Sequence, residues 1–250
     1  VEDIIKIYRQ RKLGIQLTAY VEKLSEELIG MGRYRTARAY HTVYNGLISF
    51  TGKKNLSLKV MNISIIEAFE QSMRKDGKSL NTISFYMRNL RAIYNKAIHE
   101  HLLEPYTDNP FNHVYTSIPS TRKRALSKEE MTQINNLDIL QEKESEKSQL
   151  LSHELSTVHR FFLFSFHARG MSFVDLSFLK KTDIRDGVLY YNRRKTGTPL
   201  AIKLSASMRH IINSFKNETE DSIYLFPIIK RKDVPEYLQY ESALRVQNYR

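Results

Sequence analysis

Apolar residues recur at intervals of three and four over most of the first hundred residues, and this spacing favours a bundle of amphipathic helices. Leu17, Tyr20, Val21, Leu24 and Leu28, for example, would share one stripe of a helix. Turn residues and polar capping residues separate one such segment from the next. Four helices are therefore predicted, over residues 14–30, 35–50, 64–73 and 79–101.

The starts of the third and fourth helices are predicted from capping residues. Ser64, followed by Glu67 three residues later, is typical of a capping box. Ser79 or Asn81 would accept a hydrogen bond from the first turn of the fourth helix. The sequence thus predicts a compact helical domain over residues 1–104.

The next segment has the composition of a linker. Pro105, Pro110 and Pro119 stand among Ser, Thr and Asn residues, so residues 105–124 are predicted to form an extended interdomain linker. Its last residues form a basic run that would either cross a DNA backbone or serve as an exposed hinge: Arg122, Lys123 and Arg124.

From residue 125 onward the periodicity is mixed, which indicates a second domain over residues 125–250. Ser127 and Glu130 form another capping box, and further helices are predicted at about 154–168, 205–216 and 235–250, with 141–149 as a loop or helix end. Two β-like runs, 188–191 and 200–204, flank NRRKTGTP and predict a hairpin. The fold class expected for the chain is mainly α with a small β-hairpin or sheet.

The charge of the chain points to an anionic partner. The sequence has 39 Lys and Arg residues against 27 Asp and Glu residues, a formal net charge of +12. Such a surface attracts polyanions because neutralising phosphates releases counterions. Nucleic acid is the first candidate partner and an anionic membrane surface is the second. The lack of cysteine excludes disulfides, cysteine-ligated zinc and thiol nucleophiles.

One face of the predicted 79–101 helix is polar and basic. Ser84, Arg88, Arg91 and Asn95 lie opposite the apolar stripe, and arginine and asparagine suit contacts with phosphates and base edges. The alternative interpretation is an ordinary solvated helix face. The candidate DNA contacts of this domain are Lys78, Asn81, Thr82, Arg88, Arg91 and Asn95.

Two basic residues of the second domain are candidates for chemistry at a phosphate. Lys195 follows Arg194, itself a candidate DNA contact, at the hairpin tip, where a lysine can donate a proton to a leaving oxygen. The alternative is an exposed turn lysine. Arg169 ends an apolar helix, where its guanidinium would bind a phosphate or only complement the helix dipole. His167 is predicted to pack.

Taken together, these segments resemble the tyrosine recombinase, or phage integrase, family, and most closely the integrases of Bacteroides-type mobile elements. GKSLNTISFYMRNLRAIYNKAI resembles the last helix of the family's core-binding domain, and TRKRALSKEEM resembles the entry into its catalytic domain. GMSFVDLSFLKKTDI, followed by the hairpin with Lys195, resembles the first catalytic box. The likeness covers nearly the whole chain and depends on the order and spacing of the segments.

The resemblance implies a helical, SAM-like core-binding domain and the N-terminal part of an α+β catalytic domain. It also implies a mechanism in which a tyrosine attacks a DNA phosphodiester and forms a 3′-phosphotyrosyl link. Arginines and histidines hold the phosphate, and the hairpin lysine acts as general acid. No metal or other cofactor is implied. The implied partner is double-stranded DNA, bound by a homotetramer in the bacterial cytoplasm, in association with the nucleoid.

The chain departs from the family pattern at two places. In the first box, Ser172 stands where the family has an arginine, with Asp175 in the acidic position, so Arg169 is expected to substitute and Ser172 and Asp175 to support it. The His-x-x-Arg box and the nucleophilic tyrosine are not found, and Tyr237, Tyr240 and Tyr249 come too early to replace it.

These departures predict a truncated catalytic domain, so that the 250-residue form would bind DNA as a monomer without cleaving it. Two alternatives stay open. One is a non-catalytic DNA-binding regulator or degenerate paralogue with the same fold. The other is a helical protein that binds RNA or a membrane surface and has no relation to recombinases.

Overall fold

The computed structural model describes residues 15–53, 55–120, 125–137, 146–231 and 233–249. The chain divides into two units, Val1–Lys123 and Arg124–Arg250. The described residues are mostly helical, with one three-stranded antiparallel sheet in the second unit, which confirms the predicted fold class. No helix in the described ranges is long and apolar enough to cross a bilayer.

The described residues of the first unit form four α-helices: α1 (Leu17–Gly30), α2 (Tyr34–Thr51), α3 (Ile63–Lys75) and α4 (Leu80–His99). α2 packs against α1 and α4, and α3 packs against α4. The predicted apolar stripes form its core, and Leu17, Leu47, Met87 and Leu90 are completely buried there. Helical periodicity therefore identified the buried side of α1, α2 and α4.

The prediction that Ser64 caps α3 was wrong. For α4, one of the two predicted residues, Ser79, is the cap. Asn62 caps α3, its side-chain oxygen accepting a hydrogen bond from the amide of Ile65 at 3.1 Å. Ser64 lies inside the helix, where its backbone is no longer in the extended conformation that a capping residue requires. Ser79 caps α4 by accepting from the amide of Thr82 at 3.3 Å.

Part of the segment predicted as an extended linker packs against the first unit. Phe111 and Val114 are buried members of its core. The ring of Tyr106 stacks on that of Tyr94 with a centroid separation of 6.4 Å, and the Tyr106 amide donates to the Tyr94 hydroxyl at 3.3 Å. Prolines shape the path of this segment, but its aromatic and aliphatic side chains fix it to the helices. The basic run at 122–124 lies outside the described residues.

The helices of the second unit are α5 (Lys128–Asn135), α6 (Glu146–His167), α7 (Phe173–Ser177), α8 (Ala206–Ser214) and α9 (Glu236–Tyr249). Their core contains four stacked or edge-on phenylalanine rings: Phe161, Phe164, Phe215 and Phe226. The predicted capping box of Ser127 and Glu130 opens α5. α6 begins well before the predicted residue 154 and includes residues 146–149, which were predicted as a loop or helix end.

The sheet has the order β1 (Ile184–Arg185), β2 (Val188–Asn192), β3 (Pro199–Lys203), and all its strands are antiparallel. β2 and β3 form the predicted hairpin, with Leu189 opposite Ile202. Sequence reasoning missed β1, which has only two residues. Asp186 and Gly187 join β1 to β2 with positive φ angles of 50° and 73°, the backbone that favours Asp-Gly in tight hairpin turns.

Candidate DNA-binding face and phosphate site

Three exposed polar residues lie along α4 at intervals of seven. Asn81, Arg88 and Asn95 are all exposed. Seven residues are close to two helical turns, so the three side chains form a nearly straight line about 21 Å long. Arginine and asparagine are the side chains that pair bidentately with guanine and adenine edges in the DNA major groove.

This line borders a groove of about 500 Å³ on the first unit. Residues from α4 form one wall, and α2 and the segment after Val114 complete the lining: Thr36, Tyr40, Asn81, Ser84, Phe85, Arg88, Asn89, Arg91, Ala92, Asn95 and Ile118. The groove thus brings together all four residues of the predicted polar face. Sequence reasoning missed the contributions of Thr36, Tyr40 and Ile118, because they are distant in sequence from α4.

The polar face of α4 is not uniformly solvated. Ser84 is only 3% exposed, and its hydroxyl has no hydrogen-bond partner among the described residues. Arg91 is half-buried, with Nη1 3.5 Å from the Thr116 hydroxyl. The groove therefore has a buried side, at Ser84 and Arg91, and an outer edge formed by the three exposed residues.

The two other candidates near the start of α4 lie outside the groove lining. Lys78 is exposed, and its amide donates to the carbonyl of Met73 at 3.0 Å. The hydroxyl of Thr82 lies 2.9 Å from that of Ser79, which also accepts from the Thr82 amide. Thr82 thus takes part in capping the helix.

In the second unit, Arg169 lies at the end of α6 with an unusual backbone conformation. Both Arg169 (φ 59°) and Gly170 (φ 75°) are in the left-handed region, and the Gly170 amide donates back to the carbonyl of Ser165 at 2.9 Å. A residue with a Cβ pays about 1–2 kcal/mol for this conformation. The Arg169 side chain is exposed and makes no hydrogen bond or ion pair within the described part of the chain.

Ser172 and Asp175 form a connected pair at the start of α7. The Ser172 hydroxyl accepts from the Asp175 amide at 3.1 Å and donates to Asp175 Oδ2 at 2.7 Å. The other carboxylate oxygen, Oδ1, accepts from the backbone amide of Arg194 at 2.8 Å. Ser172 therefore caps α7. The Asp175 carboxylate, 4% exposed, links α7 to the β2–β3 turn instead of closing a capping box.

Lys195 is at the tip of that turn. The turn is closed by hydrogen bonds from the Arg193 amide to the Thr198 carbonyl (2.8 Å) and from the Gly197 amide to the Arg193 carbonyl (2.7 Å). The Lys195 side chain is exposed, with no partner among the residues that the structure describes. Its ammonium group can therefore contact a molecule from outside.

Arg194, directly before Lys195, is held by its surroundings. Its guanidinium carbon lies 3.9 Å from the centroid of the Phe178 ring, and its Nη2 pairs with Glu236 Oε1. Burial raises the pKa of the neighbouring Tyr224 phenol, and the Glu236 charge adds to this increase. No local pattern identifies Phe178 or Glu236 as partners of Arg194, since they are 16 and 42 residues away. Across the described ranges, no group of His, Asp and Glu residues could hold a metal ion.

The comparisons with known proteins agree with this architecture. Residues 16–114 match the family model of the phage integrase SAM-like domain. The fold is similar to that of a lambda integrase dimer bound to a COC' core site, with 18% identity, a TM-score of 0.58, and coverage of 94% of this chain and 78% of that chain. A lambda integrase tetramer bound to a Holliday junction gives 16% identity, a TM-score of 0.55, and coverage of 94% and 64%. No curated protein sequence matches.

Proposed function

We propose that this chain is part of a tyrosine-type site-specific DNA recombinase, with a core-binding domain in the first unit and part of the catalytic domain in the second. The observation that carries the proposal is the line of Asn81, Arg88 and Asn95 beside a groove, on the domain that matches the phage integrase SAM-like family. The net charge of +12 supports a polyanionic partner.

On the first unit, the proposed ligand is duplex DNA. The exposed line along α4 contacts base edges in the major groove, which admits an α-helix. Arg91 and Lys78 neutralise phosphates, with a further contribution from the linker run: Arg122, Lys123 and Arg124. Phosphate contacts set affinity and position, whereas the base-edge contacts carry sequence preference.

On the second unit, the proposed ligand is the phosphate at which the strand is exchanged. Arg169 binds its oxygens and stabilises the charge that develops on them. In the complete active site, a tyrosine oxygen that has released its proton to solvent attacks the phosphorus, a 3′-phosphotyrosyl bond forms, the P–O5′ bond breaks, and the 5′-oxygen leaves with a proton from Lys195. Ser172 and Asp175 support this site by joining α7, which follows Arg169 in the chain, to the β2–β3 turn that carries Lys195. No cofactor enters this reaction.

The 250 residues contain counterparts of only part of the catalytic set that the resemblance implies, so we propose that this chain binds DNA without cleaving it. Similar chains bind DNA as dimers and tetramers. The proposed active assembly is accordingly a homotetramer on DNA, and this chain alone is a monomer. The resemblance to integrases of Bacteroides-type mobile elements supports a bacterial, nucleoid-associated setting.

A second candidate function is a non-catalytic DNA-binding regulator with the same fold. The observation that favours it is Ser172, which stands where the resemblance implies an arginine and whose hydroxyl is bonded to Asp175. The gene sequence that follows codon 250 distinguishes the two. A His-x-x-Arg box with a downstream tyrosine supports the recombinase, and a stop codon supports the regulator.

Binding measured over a salt series tests the proposed partner. We expect duplex DNA to bind more tightly than single-stranded RNA or anionic vesicles, with an affinity that falls as salt rises. Arg88→Met should lower DNA affinity by about 1–3 kcal/mol. Lys59→Met removes one charge from an exposed residue of the same unit, outside the groove, and is the matched control. A preference for RNA or vesicles would contradict the proposal.

A nicked suicide duplex tests the second unit. We expect the chain to bind it without forming a covalent adduct on a denaturing gel, and an adduct would refute the binding-only proposal. Arg169→Ala should reduce the slope of log affinity against log salt by about 1, which corresponds to the loss of one phosphate contact. An unchanged slope would remove Arg169 from the phosphate site.

A further inference from the structure

We propose that Arg194 positions the β2–β3 turn instead of contacting DNA itself, and that Glu236 on α9 is the residue through which it does so. Four residues form this turn anchor: Asp175, Phe178, Arg194 and Glu236. The consequence for Lys195 rests on the proposed function, whereas the anchor itself is a property of the protein without DNA.

The backbone of the turn is fixed by a buried group. Asp175 Oδ1 accepts the Arg194 amide at 2.8 Å, and its other oxygen is held by the Ser172 hydroxyl at 2.7 Å. A buried carboxylate with both oxygens bonded has one preferred orientation, since turning it would leave an amide or hydroxyl without a partner. The position of the Arg194 backbone therefore follows from α7.

The Arg194 side chain provides a second attachment, to different elements. Its guanidinium lies over the Phe178 ring, which is itself in edge-on contact with Tyr224 at a centroid distance of 6.2 Å. The Tyr224 hydroxyl donates to Gln239 of α9 at 2.8 Å. The surface that receives the arginine is thus held in place by α9, which also packs against α7.

Glu236 completes the attachment at the first turn of α9. It pairs with Arg194 Nη2 beside the aromatic surface. Stacking on Phe178 fixes the plane of the guanidinium, and the ion pair occupies its Nη2, so a phosphate would have to compete with Glu236 for that edge. Lys195 is the next residue, and its side chain has no partner in the described part of the chain. The anchor thus holds the backbone of a lysine whose ammonium group stays free.

Amide hydrogen exchange at residues 193–198 in the DNA-free protein tests the anchor. We expect Glu236→Gln and Arg194→Met each to speed exchange by about two- to fivefold, because each removes one of the contacts that keep the turn closed. The double variant should exchange no faster than the faster single variant, and Arg194→Lys should lie between Arg194→Met and the wild type. Glu241→Gln, the same change elsewhere on α9, should have no effect.

DNA affinity separates positioning from direct contact. If Arg194 positions the turn, Glu236→Gln and Arg194→Met should both weaken duplex binding relative to Glu241→Gln. If Arg194 is a DNA ligand, Glu236→Gln should tighten binding by releasing it. Opposite effects of the two substitutions, or unchanged exchange in Glu236→Gln, would overturn the proposal.

The role of Lys195 is tested in a double-mutant cycle. We expect Lys195→Met to reduce DNA affinity more in the wild type than in Glu236→Gln, since a loosened turn no longer presents the lysine. If Lys195→Met has no effect in either background while exchange changes as expected, the anchor stands and the proposed function of Lys195 fails. The exchange measurements therefore test the turn anchor, and the binding measurements test the role of Lys195 independently of it.

Discussion

The α4 face of the first unit and the β2–β3 turn of the second present their candidate DNA-contacting side chains in different ways. On α4, Asn81, Arg88 and Asn95 extend from a regular helix and are all exposed. At the turn, Lys195 is exposed next to Arg194, which is held by Asp175, Phe178 and Glu236. Side chains on a regular helix should act independently, whereas those at an anchored turn should act as one unit.

The largest expected effect is on the free energy of unfolding, when the buried Asp175 carboxylate that holds the turn is removed. Asp175→Ala should lower the free energy of unfolding by about 1–3 kcal/mol, because it removes the buried carboxylate that accepts from both the Arg194 amide and the Ser172 hydroxyl. Urea denaturation measures this loss. Asp175→Asn keeps one oxygen and should cost less. Equal losses for alanine and asparagine would show that the amide bond to Arg194 contributes little.

The α4 face should give smaller and additive effects on binding. Asn81→Ala and Asn95→Ala should each reduce duplex affinity by about 1–2 kcal/mol, with free energies that sum to within about 0.5 kcal/mol in the double variant, since the two residues are far apart. Fluorescence anisotropy with labelled DNA measures both. Strong coupling between them would contradict the independence of side chains along α4.

The inner side of α4 should be less tolerant than its outer side. A Cβ on Gly46 of α2 would lie 2.4 Å from Cε1 of Tyr86, whose ring packs against Phe69 and Phe85. Gly46→Ala should therefore cost about 1 kcal/mol net, overpacking exceeding the gain in helix propensity. Thermal unfolding of the variant checks this. In a Tyr86→Ala background the same change should become stabilising, and a persistent loss there would locate the strain elsewhere.

Arg169 offers a test of whether backbone strain accompanies the candidate phosphate site. Arg169→Gly should raise the free energy of unfolding by about 0.5–1 kcal/mol, because glycine adopts a φ of 59° without the Cβ penalty. Arg169→Ala keeps that penalty and should not stabilise the protein. Both substitutions remove the guanidinium, so they should weaken DNA binding equally. If Arg169→Gly weakens binding less than Arg169→Ala, loss of the guanidinium alone does not explain the change in affinity.

The smallest expected effect concerns an exposed pair in the segment after α4. A hydrogen bond with Asp108 raises the pKa of His113, and the same bond lowers the pKa of Asp108. The pair should therefore contribute stability that is lost as pH rises through the raised pKa of His113 and as pH falls through the lowered pKa of Asp108. NMR titration should show the His113 pKa return toward its usual value in Asp108→Asn, and an unchanged value would exclude this pairing in solution.

The sequence predicted best where structure follows a regular period. The buried stripes of α1, α2 and α4, the β2–β3 hairpin and the α5 capping box all follow from local spacing. The prediction was wrong where two nearby residues can each cap a helix, as Asn62 and Ser64 can at the start of α3. It also missed β1, because two residues carry no period, and the packing of Phe111 and Val114, because their partners are distant in sequence.

By itself, the sequence determined the mainly α fold class, the polar face of α4 and the position of Lys195 at a hairpin tip. These depend on helical and strand periodicity, which neighbouring residues encode. Only the tertiary structure decided that Ser84 is buried, that Asp175 reaches the Arg194 amide and that Arg194 pairs with Glu236. Those contacts join residues up to 42 positions apart, and their geometry arises from packing, which no local pattern specifies.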